Sequence, residues 1–212
     1  MNDKETLAQK AYQSIKTHIL EAGFASDQIL TERNLAAASG ISRTPLRSAI
    51  SRLEKEGVVE RLDNGALVVR RVSVEQLLEI VQMRRLLEGA AAARAAERGM
   101  TERLRSARDL MQGYADGKDA AFDDFWAHDD DFHTAVVEAA GLHLLPDMIK
   151  EMRAIARRCT ITRVHDRFAD QAREHIAVID AIEAGNPGEA QSAMETHFDS
   201  VRARFLAWLA GQ

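Results

Sequence analysis

The stretch FWAHDDDFHTAVVEAAG, Phe125 to Gly141, sets three aspartates and two histidines around Phe132 on a segment that otherwise reads as an apolar helix. Asp129 and His133 are four residues apart, so on a helix both side chains can address a single ion. Trp126, His133, Val137 and Ala140 share the apolar face. Two later segments repeat the anomaly. His175 falls on a stripe with Ala172, Ile179 and Ile182, and His197 on a stripe with Ala190, Met194, Val201, Phe205 and Trp208. Imidazoles pointing inward from separate helices can converge. Neutral imidazoles with one carboxylate suit Zn²⁺, Ni²⁺, Fe²⁺ or Mn²⁺, and such a set is too nitrogen-rich for Ca²⁺. A single buried histidine is ordinarily a hydrogen-bonded core residue. Spacing alone leaves both readings open, ligand and core.

Other ionisable groups divide between chemistry and scaffold. Arg84 lies four residues before Glu88, which makes a helical ion pair the plain reading. Its planar guanidinium equally suits bidentate recognition of a carboxylate from a bound acid. His128, Asp130 and Asp131 are expected to face solvent or flank the site, and His18 and His165 to lie on the surface. Cys159 has no His or Cys partner at metal spacing and reads as a structural thiol. Met100 and Met111 read as core filler.

These residues need elements to carry them. The 212-residue chain is long enough for one large domain or two small ones, and its 46% hydrophobic and 29% charged content is that of an ordinary soluble globular protein. No apolar run approaches the length that spans a bilayer, and MNDKETLAQKAYQ has no signal core, so a cytoplasmic protein is expected. One cysteine fits a reducing compartment. Residues 1–71 carry 11 Lys and Arg against 9 Asp and Glu (net +2), whereas residues 72–212 carry 17 against 24 (net −7). That asymmetry suggests two parts with different partners.

The fold class expected is mainly α: a winged helix-turn-helix followed by an all-α bundle of about six helices. In the first part, Leu7, Ala11, Ile15, Ile19 and Leu20 mark an amphipathic helix over 4–22. Thr31 caps a short helix that stops before Gly40. A third helix runs from Ser42 to Gly57, with Pro45 in its first turn and Leu46, Ile50 and Leu53 buried. Two β-branched runs flank Asp63-Asn64-Gly65, a hairpin signal. The second part begins with Ser73 and Gln76 at capping-box spacing. Helices follow over 74–98, 101–116, 119–140, 143–160, 166–184 and 187–210, separated by RGMTE, DGKDA, AGLH, TRVHDRF and AGNPGE.

A helix-turn-helix offers the start of its second helix to the major groove, so that face must carry donors. Here it carries Ser42, Arg43, Thr44 and Arg47, with Arg33 on the preceding helix and Gly65 at the wing tip. Arg43 and Arg47, one turn apart, suit phosphates and guanine edges. Ser42 and Thr44 suit phosphates. Charge alone leaves open a winged helix used for protein contact.

The run LTERNLAAASGISRTPLRSAISRLEKEGVVERLDNGALVV resembles the DNA-binding domain of GntR-type bacterial regulators over about forty ungapped residues. The resemblance implies operator contacts from Arg33, Arg43, Thr44, Arg47 and Gly65. Two positions depart from the family pattern: residues 24–27 replace its Leu-x-Pro-Gly, and Ser48 replaces a glutamate. Residues from about 74 to 209 resemble the all-helical, FCD-type effector domain of the FadR branch. RRLLEGAAAARAA, DDDFHTAVVEAAG, EHIAVIDAIEAGNPGEA and METHF carry that likeness. Metal-binding members use an Asp-x-x-x-His pair and two later histidines, which implies Asp129, His133, His175 and His197 as ligands. Leu142 stands where the family usually has Asn. Arg84 opens the family's Arg-x-x-Leu-Glu pattern.

The expectation is therefore a ligand-responsive transcriptional regulator, a repressor, homodimeric on double-stranded operator DNA, with Zn²⁺ as the foremost metal. A small carboxylate effector would reach both the metal and Arg84. The competing expectations are a metal-dependent hydrolase, with His128 or Asp130 as base, and a regulator whose metal is purely structural.

Overall fold

The computed structural model describes residues 7–21, 29–69, 72–157, 159 and 168–210. It divides into two units, Met1–Val72 and Ser73–Gln212. The turn at residues 24–27, the stretch 160–167 with His165, and the side chain of His18 lie outside the described residues.

In the first unit, α1 (Leu7–Glu21) buries Ala11, Tyr12 and Ile15 against α3 (Arg43–Lys55), which contributes Leu46, Ala49, Ile50 and Leu53. Between them α2 (Glu32–Ser39) starts at Thr31, whose hydroxyl accepts from the Asn34 amide at 3.1 Å, and ends at Gly40 with φ of 65°. That is the left-handed cap the sequence requires. Across the core, Tyr12 donates to Glu56 at 2.5 Å, and Lys16 reaches the same carboxylate at 3.2 Å. The wing is β2 (Val59–Arg61) and β3 (Leu67–Val69), antiparallel with Glu60 opposite Val68. Gly65 sits at its tip with φ of 78°, and the Asn64 side chain accepts from the Ala66 amide. A two-residue strand, β1 (Ile29–Leu30), pairs with the outer edge of β3, so the sheet order is β1-β3-β2. Two strands were expected. A pair of residues is too short to show alternation, so β1 was not legible.

The second unit is helical among its described residues: α4 (Val74–Arg98), α5 (Glu102–Ala115), α6 (Phe122–Ala139), α7 (Leu145–Ala156), α8 (Phe168–Glu183) and α9 (Pro187–Ala210). Ser73 and Gln76 form the reciprocal capping box at 3.2 and 3.0 Å, and Thr101 caps α5. Long α4 packs along α9, and α5 and α9 flank α8. Met111, Tyr114, Phe132, Val136, Ile179, Ile182, Met194 and Phe198 make the shared core. No helix among the described residues is long and apolar enough to cross a membrane.

The alanine-rich stretch of α4 has a specific task. Arg94 donates to the Ala140 carbonyl at 2.7 Å and Arg98 to the Ala139 carbonyl at 3.0 Å, so two guanidinium groups close the C-terminal end of α6. The chain then turns at Gly141, with φ of 67°, under the Arg98 guanidinium. A Cβ there would lie 2.8 Å from Arg98 Cζ, so the position admits only glycine without rearrangement. The helix that bears Asp129 and His133 is thereby held at its end by the helix that bears Arg84.

Candidate metal centre

His133 on α6, His175 on α8 and His197 on α9 are 1%, 0% and 2% exposed, and one nitrogen of each lies within 4.8 Å of the others. Two nitrogens on one tetrahedral zinc stand about 3.4 Å apart, so a short inward movement of the rings completes a ligand set. The other ring nitrogens are occupied. His133 Nδ1 meets Glu88 Oε2 at 2.5 Å, His197 Nδ1 meets Glu174 Oε2 at 2.8 Å, and His175 Nδ1 lies 3.4 Å from Met111 Sδ. Glu88 and Glu174 each accept an Nδ1–H, which fixes the tautomer and turns the Nε2 lone pair inward. Carboxylates behind metal-ligating histidines do the same elsewhere.

Asp129 Oδ1 completes the group, 3.3 Å from His175 Nε2 and 3.8 Å from His133 Nε2. Its other oxygen is held by Arg153 of α7, which also pairs with Asp130. Burial pushes the Asp129 carboxyl up, but the Arg153 guanidinium together with the neighbouring histidines holds the group well below the usual carboxylate range. Burial, with His197 beside it, pulls His175 down to about 3. Burial and then Arg84 pull His133 well below the usual imidazole value. His133 and His175 are therefore neutral beside an ionised carboxylate, which is the state a metal binds. His175 Nε2 makes no hydrogen bond although fully buried. Leaving such a nitrogen unpaired is costly, and a bound cation at the centre removes that cost. The residues fit a divalent metal on this ground, and three buried histidines can form the site.

Beside the centre opens a cavity of about 630 Å³, lined in part by Arg84, Asp129, His133, Arg153 and His197. The sequence offered two roles for Arg84, and the structure contains the elements of both. Its Nε donates to Glu88 Oε1 at 2.7 Å, while Nη2 is buried without a hydrogen-bond partner. Because Glu88 also holds His133, Arg84, Glu88 and His133 form one chain from cavity to centre.

Three functional side chains escaped the sequence reading. Arg153 occupies a buried α7 stripe with Leu145, Ile149 and Ala156. A charge on an apolar stripe is the same signal that α6 carried, so it was there to be found. Glu174, with Arg204 at 2.8 Å, supports His197 from the face of α8 beside His175. No spacing rule links residues on different helices, so Glu174 left no mark, and neither did the second task of Glu88. Of the flanking groups, His128 is bound to the Tyr114 hydroxyl at 2.6 Å and Asp131 to Arg103 at 3.1 Å.

In the first unit, Ser42 is the N-cap of α3 and its side chain makes no capping bond. Arg33, Ser42, Arg43, Thr44, Arg47 and Gly65 are all exposed. They occupy the start of α2, the first turns of α3 and the wing tip. Arg47 Nε rests on Glu32 at 3.0 Å, an exposed pair of small energetic weight.

A winged helix with exposed arginines on its second helix, joined to a bundle with a buried histidine centre and an adjoining cavity, defines the class of DNA-binding regulators with a ligand-sensing domain. Residues 7–69 match the gntR family of bacterial regulatory proteins, and residues 79–200 match the FCD domain. The chain belongs to that family: it is a transcriptional regulator of the GntR type with an FCD domain, and not an enzyme. It is 29% identical over 200 residues to the "Probable D-xylose utilization operon transcriptional repressor" of Paenarthrobacter nicotinovorans, covering 92% of this chain and 86% of that one. E. coli McbR/YncC shares its fold at a TM-score of 0.77 and 19% identity, over 96% of this chain and 99% of the other. The metal-free FCD domain of TM0439 matches at a TM-score of 0.56 and 18% identity, over 66% of this chain and 99% of that domain.

Proposed function

We propose that this protein is a cytoplasmic repressor that acts as a homodimer on a pseudo-palindromic operator and leaves it when a small carboxylate binds at a metal in the helical unit. Residues 1–71 read DNA through Arg33, Ser42, Arg43, Thr44, Arg47 and Gly65, and residues 72–212 hold the effector and the dimer contacts. The metal is Zn²⁺ foremost, held by Asp129, His133, His175 and His197, and it supplies Lewis acidity toward a carboxylate oxygen when bound. Arg84 takes the acid's second oxygen through its buried Nη2. One observation carries this reading: Arg84, with a buried guanidinium nitrogen that has no hydrogen-bond partner, lines the cavity, and His175, with a buried imidazole nitrogen that has none, is grouped with the cavity-lining His133 and His197. A ligand with a carboxylate head serves the first directly and the second through the metal.

An acid that binds the DNA-free arrangement more tightly shifts the population away from the operator. A 100-fold drop in operator affinity requires about 2.7 kcal/mol of differential binding. The test of the DNA half is selection from fragmented host DNA by the metal-loaded protein, followed by sequencing of what is retained. One short near-palindrome should be enriched. On that fragment Arg43→Ala and Arg47→Ala are each expected to weaken binding about tenfold to a hundredfold, the weight of a good base contact. Equal retention of all fragments at low salt, where phosphate contacts persist, contradicts sequence-specific binding.

A further inference from the structure

We propose that the cavity selects a monoanionic carboxylate with an apolar tail, aliphatic or aromatic, over dicarboxylates and polyhydroxylated acids. The inference rests on the reading of a carboxylate at the metal and names the chemical class of that ligand.

Charge decides the head. Around the centre, the carboxylates of Glu88, Asp129, Asp130 and Glu174 face the guanidinium groups of Arg84, Arg153 and Arg204. Arg153 already holds two aspartates and Arg204 holds Glu174, so among the described lining guanidinium groups Arg84 is the one with an unpartnered buried nitrogen, Nη2, for an incoming anion. A second carboxylate would enter with no unpartnered guanidinium left to meet it among the described lining residues, and an uncompensated buried charge is strongly unfavourable.

The walls decide the tail. Phe122, Phe125, Trp126, Phe168, Phe205 and Trp208 line the cavity. Phe125 stacks on Phe168 with ring centres 4.4 Å apart. The α4 side adds Leu77, Ile80 and Val81. Apart from the indole N–H groups of Trp126 and Trp208, the neutral hydrogen-bonding side chains among the described lining residues, which a hydroxylated acid would need in number, are Gln171 and Ser200. A hydroxyl buried against rings without a partner costs more than it returns. The cavity volume of about 630 Å³ leaves ample room for a six-carbon chain or a phenyl ring beyond the head.

Both tryptophans of the chain, Trp126 and Trp208, lie in this lining, so intrinsic fluorescence reports entry of a ligand directly. The experiment titrates the full-length protein, loaded with one equivalent of Zn²⁺, with acetate, butanoate, hexanoate, phenylacetate, succinate and gluconate. Calorimetry is run in parallel. The dissociation constant should fall by roughly fourfold for each methylene added from acetate to hexanoate. Phenylacetate should bind roughly tenfold or more tightly than succinate or gluconate. Tightest binding by succinate or gluconate, or a flat aliphatic series, overturns the apolar monoanion and leaves the carboxylate reading standing. Binding of none of the six acids by either method overturns the carboxylate reading itself.

Discussion

One equivalent of Zn²⁺ is expected to raise the unfolding temperature of this protein by roughly 10 °C, and the substitution His175→Ala is expected to abolish the rise. A ligand that binds only the folded state stabilises it by about 4 kcal/mol when its concentration is a thousandfold above its dissociation constant. Each kcal/mol moves the midpoint of a chain of this size by about 2–4 °C. His175 is the informative position because its Nε2 is buried with no hydrogen bond. The loss of its stacking on Phe132, with ring centres 4.0 Å apart, lowers the midpoint of the variant with or without metal. The comparison is therefore made within each protein, loaded against metal-free. Equal shifts in wild type and variant would place the ion elsewhere.

The second large effect concerns Arg153. Substitution by methionine keeps much of the packing volume and removes the cation that keeps Asp129 ionised in the interior. Breaking a buried pair on one side costs about 3–5 kcal/mol, because the surviving charge has nothing to balance it. Metal-free Arg153→Met should therefore unfold at markedly lower urea concentration than wild type. A dication beside Asp129 replaces the lost positive charge, so loading with Zn²⁺ should recover much of the deficit. If the deficit is the same with and without metal, Arg153 serves packing against Trp126, over whose ring it lies at 5.2 Å, and not the charge of Asp129.

Much of this was legible because the anomalies are local. A carboxylate four residues from an imidazole on an apolar face is visible in one helix, and the stripes around His175 and His197 are visible in theirs. The caps at Thr31, Ser73 and Thr101 were readable for the same reason in the first two cases, and the third lay in the expected break RGMTE. Convergence was not readable, since it depends on which faces of α6, α8 and α9 meet. Partners across helices were equally hidden: Glu88 under His133, Glu174 under His197, Arg94 and Arg98 at the end of α6. The helix expected from residue 119 begins at Phe122, and the one expected from residue 143 begins at Leu145. Helix starts without a side-chain cap, as at Ala121 and Leu144, give the sequence little to mark them. The stripe read through Trp208 also ends differently. Ala190, Met194 and His197 are core, whereas Val201 and Phe205 are half-buried and Trp208 is 36% exposed. The last turns of α9 line the cavity, with Val201 and Phe205 also packed against the edge of the core. An apolar stripe looks alike in sequence whether it faces a core or a ligand.

The competing readings separate on these residues. A hydrolase needs a free base beside the metal, but Asp130 is bound by Arg153 and His128 by Tyr114. A purely structural metal would stabilise the bundle as the first prediction requires, yet it would leave DNA binding indifferent to carboxylates. The measurement that tests the central claim most directly is therefore operator affinity by fluorescence anisotropy, on the fragment enriched from genomic DNA. It is made with Zn²⁺-loaded wild type and with His175→Ala, each with and without the tightest-binding acid. The account predicts about a hundredfold weaker operator binding for wild type when the acid is present and no response from His175→Ala. Unchanged affinity in wild type, or an equal response from the variant, would contradict it.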